Sequence, residues 1–205
     1  MNLELLIGYL QKVFSFDENS PLLFTQMQFW VFFCIVFAVF AFTGRRAHMR
    51  NAYLMAVSLL FYYKTSGLFV GLLLLVTCSD FLIARRIYAA REQWRKRLWL
   101  ALSVTLDLGI LCYFKYSYFF ADIAGQIFGI EIEVRNIAAE WFNAAAGSPV
   151  FSVDRIILPV GISFYTFQVI SYTADVYRGL IKPVRSILDF GFYVSFFPQL
   201  VAGPI

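Results

Sequence analysis

Charge is scarce in this chain. Asp, Glu, Lys and Arg make up 15% of its 205 residues, and its mean hydropathy is +0.70. A soluble domain carries roughly a quarter charged residues, so this composition excludes an ordinary soluble fold. Histidine is scarcer still. His48 stands alone in Arg45-Arg-Ala-His-Met-Arg50, where cationic neighbours oppose its protonation and no carboxylate is near to orient it. It is a poor general base and reads as a solvated or headgroup-facing residue. There is no Gly-rich phosphate loop and no usable internal repeat. Ser163 lies in Val-Gly-Ile-Ser, outside any Gly-x-Ser-x-Gly pattern, so a hydrolase-type nucleophile elbow is not supported. Cys34, Cys78 and Cys112 lie inside apolar runs with no metal-type spacing and read as small buried hydrophobes. The first residues, Met1-Asn-Leu-Glu-Leu-Leu6, lack a basic n-region, which argues against a cleaved signal peptide. The net charge of +4 sits in short loops between apolar runs, so it is not a nucleic-acid signal and no nucleic-acid partner is expected.

What the chain has instead is apolar length. Twenty-four Phe, twelve Tyr and four Trp suit an integral membrane protein with aromatic residues at its interfaces. The expected fold is all-α and polytopic, with about four regular spans followed by broken or re-entrant helices. Residues 1–18 read as an amphipathic helix lying at the interface. Residues 21–43 form the first span, about 35 Å long at 1.5 Å per residue. The block 51–84 is too long for one span, and Lys64-Thr-Ser-Gly67 divides it into spans over about 48–64 and 67–84. A fourth covers about 98–114, with Lys115 able to snorkel. Segment 121–155 reads as short helices on the outer face. Segments 156–176 and 190–205 re-enter the membrane as broken helices.

Orientation follows from the basic residues. The loops after the first and third spans hold three and six of them, and the loop after the second holds Lys64 alone. The positive-inside rule then places those two loops in the cytoplasm and the N-terminus outside a plasma (inner) membrane.

Polar residues inside apolar spans are expensive and therefore informative. Asp80 is expected to pair with Arg85 or Arg86 near the inner interface. Asp107, nearer the middle of its span, is expected to sit in a buried pair or polar network, with a site role or a shallower position as alternatives. Asp175 and Arg178 have the i,i+3 spacing of a local salt bridge. Tyr165, Gln168 and Tyr172 fall at i, i+3 and i+7 on one helix face and are candidates to line a polar tunnel, with helix packing as the alternative.

The densest signal is Leu158-Pro-Val-Gly-Ile-Ser-Phe-Tyr-Thr-Phe-Gln168, followed by Phe196-Phe-Pro-Gln-Leu-Val-Ala-Gly-Pro-Ile205. A lipid-facing anchor needs none of these prolines, glycines and amides. In hydrocarbon, irregular polar backbone is tolerated only inside protein or along a cavity. Pro198, Gln199, Gly203 and Pro204 therefore join Tyr165, Gln168 and Tyr172 as candidate tunnel residues.

These two motifs, with Ser171-Tyr-Thr-Ala-Asp-Val-Tyr-Arg-Gly179 between them, resemble the membrane-bound O-acyltransferase family. The nearest branch is that of alginate O-acetylation and teichoic-acid D-alanylation. Ser58-Leu-Leu-Phe-Tyr-Tyr63, Ser79-Asp-Phe-Leu-Ile-Ala-Arg85 and Leu106-Asp-Leu-Gly-Ile-Leu-Cys-Tyr-Phe-Lys-Tyr116 agree more loosely. The resemblance implies transfer of an acyl group, acetyl by analogy, to hydroxyls of a cell-surface polysaccharide. It implies an acyl-CoA or acyl-carrier thioester as the cytoplasmic donor, no bound cofactor or metal, and an extracytoplasmic acyltransferase as a partner. The family's catalytic histidine lies in a Trp-His-Gly motif in its C-terminal half. No such motif stands here and His48 does not match it, so the chain reads as the N-terminal half with no catalytic residue of its own. Two other classes compete: a small transporter or flippase built on the broken segments, and a non-catalytic membrane scaffold.

Overall fold

The computed structural model describes residues 27–42, 47–129, 133–146 and 152–203. The expected interfacial helix 1–18, Pro204 and the side chain of His48 lie outside the described residues. All regular structure among the described residues is helical. In chain order the helices are α1 (Met27–Phe42), α2 (Ala47–Ser66), α3 (Val70–Ala89), α4 (Gln93–Leu111), α5 (Ser117–Phe128), α6 (Ile137–Ala146), α7 (Ile162–Arg178), α8 (Ile187–Ser195) and α9 (Phe197–Ala202).

Two helical stretches, Met49–Ala89 and Gln93–Phe128, are long and apolar enough to cross a membrane. The first folds back on itself. Asn51 donates to Asp189 at 2.7 Å, and the Phe81 ring packs 6.1 Å from that of Phe190. In one straight helix, residues 51 and 81 would lie about 45 Å apart. The reversal falls at a tight 3₁₀ turn, Gly67–Phe69, where Gly67 has a φ of 59° that a side chain would disfavour.

The second stretch runs further than the sequence suggests. A π-helical turn, Cys112–Tyr116, carries α4 directly into α5, so residues 115–128 continue the helix instead of leaving it. Lys115 is exposed near the end of the bundle. Its ammonium lies 3.3 Å from the Ser163 hydroxyl of α7.

Cross-contacts give the helix directions. Ser66 accepts from the Val160 amide, and the Phe69 and Phe114 rings meet at 5.7 Å; with Lys115–Ser163 these mark one end of the bundle. Asn51–Asp189 and Gln93–Tyr177 mark the other. Helices α2, α3, α4 and α7 therefore alternate in direction, and α8 runs beside α2. The end holding Asn51 and Gln93 also carries Arg50, Arg86, Arg91, Arg95, Arg178 and Lys182. The opposite end carries Lys115, Arg135 and Arg155 among Glu133, Glu140 and Asp154.

Helix α4 is inverted relative to a helix of a soluble bundle. It buries Ser103, Asp107 and Leu111 along one stripe, while Leu98, Leu102 and Leu106 are 59%, 42% and 43% exposed. Turning leucine outward and aspartate inward suits a lipid surround and no aqueous one. Cys34 and Cys78, expected to be buried, lie on outward faces of α1 and α3, and Cys112 is half-buried. In lipid an outward apolar thiol has no solvation cost to avoid, so apolar neighbours in sequence do not imply burial.

Candidate functional site

Two places in the fold break the rules of a simple helix bundle: a crossing of two irregular segments, and a polar cluster at the bundle's centre.

The crossing is built from the two dense motifs. Residues 156–161 are not helical, and α7 starts only at Ile162, with Gly161 in the left-handed region at φ 73°. Helix α8 ends at Ser195, Phe196 turns the chain at φ −54° and ψ 108°, and α9 begins with Pro198 in its first turn. Proline suits that position because its missing N–H would have no helical partner there. The Phe197 amide, freed by the break, donates to the Ser58 hydroxyl of α2 at 3.3 Å. The Phe197 ring then packs 5.2 Å from Phe61, in a cluster with Phe29 and Phe32 of α1. The two motifs touch at Gly161 and Leu200. A β-carbon built on Gly161 would stand 2.5 Å from the backbone oxygen of Leu200. Only glycine permits that approach.

The central cluster comes from three helix stripes. Helix α3 buries Leu73, Val76, Thr77, Asp80, Phe81, Ala84 and Ile87; α7 buries Ile162, Tyr165, Thr166, Val169, Tyr172, Thr173 and Val176. Both follow the three-to-four spacing of one helix face. Where these stripes meet the Ser103–Asp107 face of α4, the polar members coincide. Ser103 donates to Asp80 Oδ1 at 2.5 Å and lies 3.3 Å from the Thr173 hydroxyl, which in turn donates to the Val169 and Ile170 carbonyls. Asp107 lies within hydrogen-bonding reach of both Asp80 and Ser103. The hydroxyls of Tyr165 and Tyr62 stand beside one another on the Asp107 side, with Ser66 next to Tyr62. Neither tyrosine hydroxyl makes a hydrogen bond of ordinary geometry, and Asp80 Oδ2, Asp107 Oδ2 and Thr166 Oγ1 are likewise buried without a partner.

This geometry corrects several expectations. Asp80 does not pair with Arg85 or Arg86. It points into the bundle at 1% exposure, while both arginines are exposed and Arg85 lies 5.5 Å over the Phe81 ring. A residue five positions before Arg85 sits on a different helix face, so sequence proximity does not bring them together. Asp175 and Arg178 form no ion pair. Asp175 instead lines a groove of about 380 Å³ with Ser171, Tyr172, Lys182 and Tyr193.

The candidate tunnel residues divide. Tyr165 and Tyr172 are core residues at 0% and 5% exposure. The Tyr172 hydroxyl accepts from the Val184 amide at 2.9 Å and so ties the loop after α7 to the bundle. Gln168, on the flank of that face, donates to the Tyr193 carbonyl at 2.9 Å. Pro198, Gln199 and Gly203 are half-buried around the crossing.

Sequence reasoning passed over Ser103 and Asn136. The four-residue spacing of Ser103 and Asp107 was the available signal for the first. Asn136 caps α6. Its Oδ1 accepts from the Ala139 amide and from the Tyr113 hydroxyl, and its Nδ2 donates to the Ser152 and Arg155 carbonyls. An asparagine immediately before an apolar helical run is an N-cap signal.

Similarity to known proteins points one way. The chain is 40% identical over 164 residues to the probable alginate O-acetylase AlgI of Azotobacter vinelandii, covering 78% of this chain and 29% of that protein. It is 36% identical over 177 residues to the protein of the same description in Pseudomonas aeruginosa, covering 86% and 31% respectively. The peptidoglycan O-acetyltransferase of Helicobacter pylori is 29% identical over 177 residues, or 75% of this chain and 30% of that protein. The chain thus spans about a third of the length of the curated relatives it matches. No family model matches the chain, and no solved structure matches it either.

Proposed function

Since the chain belongs to the membrane-bound O-acyltransferase family, we propose that it forms part of an enzyme transferring acetyl groups to hydroxyls of a cell-surface polysaccharide. The acceptor proposed is alginate or a chemically similar polymer, and the donor a thioester on the cytoplasmic side. The observation that carries the reading is the Gly161–Leu200 crossing. It joins the two motifs through irregular backbone inside an apolar bundle, which is the setting in which a water-poor passage for an acyl group can be lined. Pro198, Gln199, Gly203 and Gln168 are the proposed walls of that passage. The relatives' names favour this reading over a transporter or a scaffold.

We further propose that the bundle spans a plasma membrane four times before the broken segments, with the Arg86–Arg95 end in the cytoplasm. The base that deprotonates the acceptor hydroxyl is proposed to come from a part of the relatives' length that this chain does not match, and an extracytoplasmic acyltransferase is the proposed partner.

Deleting the gene tests the reading. Ester-linked acetyl on the surface polysaccharide should fall, return with the wild-type gene, and stay low with a Gly161→Leu gene whose product still reaches the membrane. Unchanged acetyl content in the deletion strain would refute it.

A further inference from the structure

Among the described residues, the centre of the bundle holds two carboxyl groups with no cationic side chain joined to them. Asp80 and Asp107 are 1% and 2% exposed. When ionised, a carboxylate only accepts hydrogen bonds. Ser103 gives a donor to Asp80 Oδ1, but Asp80 Oδ2 and Asp107 Oδ2 have none. Among the described residues, no lysine or arginine is joined to either. Two bare carboxylates side by side in an apolar interior would each carry a desolvation cost of several kcal/mol with nothing to offset it. A positive charge belongs between them.

A metal ion suits the place poorly. Hard cations take about six to eight oxygens. Among the described residues, no group of three or more Asp, Glu, His or Cys side chains stands together. The two carboxyls are already within hydrogen-bonding reach of one another. A proton fits, because it turns one carboxyl into the donor the other lacks.

A second observation points to the same ligand. The Tyr165 hydroxyl is fully buried, has no hydrogen-bond partner, and lies within electrostatic reach of Asp107. Beyond it come the Tyr62 hydroxyl and Ser66, whose oxygen accepts the Val160 amide at the irregular start of the motif. The buried hydroxyls of Tyr165 and Tyr62 and the half-buried one of Ser66 thus lead from the carboxyl pair to the bundle end, where Lys64 is also buried.

We propose that Asp80 and Asp107 form an intramembrane proton-binding site, holding one proton between them and exchanging it along Tyr165, Tyr62 and Ser66. On release, the carboxyl proton passes to the Tyr165 oxygen while the Tyr165 proton passes to Tyr62, that of Tyr62 to Ser66, and that of Ser66 to water. Uptake reverses these steps. Only O–H bonds form and break, no electrons transfer, and water is the sole co-reactant. The proposal stands apart from the acyl-transfer reading, and its test needs no activity.

Infrared spectroscopy of the full chain in lipid nanodiscs reads the site directly. At neutral pH a carboxylic-acid carbonyl band is expected. It should shift when aspartate is isotope-labelled and move in heavy water. Asp80→Asn and Asp107→Asn, which keep shape and supply an N–H donor, should each abolish it. Tyr165→Phe should keep the band but slow its response to heavy water several-fold. No aspartic-acid band in the wild type would overturn the site. So would a band that both asparagine variants retain, or one that sodium or calcium removes. Unaltered exchange in Tyr165→Phe would overturn the path. The labelling and Tyr165→Phe arms remain decisive even if the asparagine variants do not fold.

Discussion

Gly161 lies directly against the backbone carbonyl of Leu200, so closely that a methyl group on Gly161 would stand 2.5 Å from that oxygen. The contact joins the non-helical approach to α7 with the short helix α9. Because the neighbour is backbone, no side-chain rotation relieves an overlap there.

Gly161→Ala should therefore destabilise the fold. The left-handed φ of 73° costs an alanine about 1–3 kcal/mol by itself, and the overlap adds to that. Gly71 is the control, since it lies inside α3 with nothing within 4 Å of an added β-carbon. Gly71→Ala should be neutral or stabilising by up to about 1 kcal/mol. Thermal unfolding in detergent decides it: equal melting temperatures for the two variants would contradict the close approach.

The true partner of Asp80 is testable in the same way. Ser103→Ala removes the donor to Asp80 Oδ1, and an unsatisfied buried acceptor costs about 1–3 kcal/mol. Arg85→Ala and Arg86→Ala change exposed side chains that make no ion pair with Asp80, so each should stay within about 0.5 kcal/mol of wild type. Larger losses in the arginine variants than in Ser103→Ala would restore the pairing suggested by sequence order.

Much of the fold is legible in the sequence, for a physical reason. Apolar runs of span length must hide their backbone in helices, and a glycine amid polar residues marks where a run turns. Gly67 does so here. The inward face of each helix is harder to read. In a soluble protein hydropathy separates core from solvent, but here both lipid and core are apolar. Leu98, Leu102 and Leu106 are therefore no guide to burial, and the sparse polar residues are. Asp107 was legible because an unpaired carboxylate at that depth is too costly. Its companions Asp80, Ser103 and Thr173 come from three helices, and their meeting is a matter of packing that no single run displays. The extension of α4 to Phe128 is not legible because Lys115 and Asp122 look like a span ending, although one of them reaches the Ser163 hydroxyl and the other accepts from Gln126 on its own helix.

Asn136 should act as both cap and staple. Asn136→Ala removes the α6 cap and the donors to Ser152 and Arg155; loss of the cap alone costs about 0.5–2 kcal/mol. Asn136→Asp keeps the capping oxygen and loses only the donors. Hydrogen–deuterium exchange over 137–146 should rise in the alanine variant and stay near wild type in the aspartate variant, while both should loosen 152–155. Equal exchange of α6 in the two variants would show that the oxygen is not what caps it.

Orientation is the remaining expectation, and it rests on where the charges gather. The end of the bundle that joins Asn51 to Asp189 and Gln93 to Tyr177 collects Arg50, Arg86, Arg91, Arg95 and Arg178. Cations near span ends are retained on the cytoplasmic side during insertion. Glu92 and Asp154 are both exposed and belong to opposite ends, so single cysteines at these positions report the two sides. The native cysteines must first be replaced, because Cys34 and Cys78 face outward. In intact cells, an impermeant maleimide should label Asp154→Cys and spare Glu92→Cys. Permeabilisation should then expose Glu92→Cys. The reverse pattern would turn the bundle over in the membrane, and labelling of both in intact cells would mean that the Met49–Ala89 hairpin does not cross it at all.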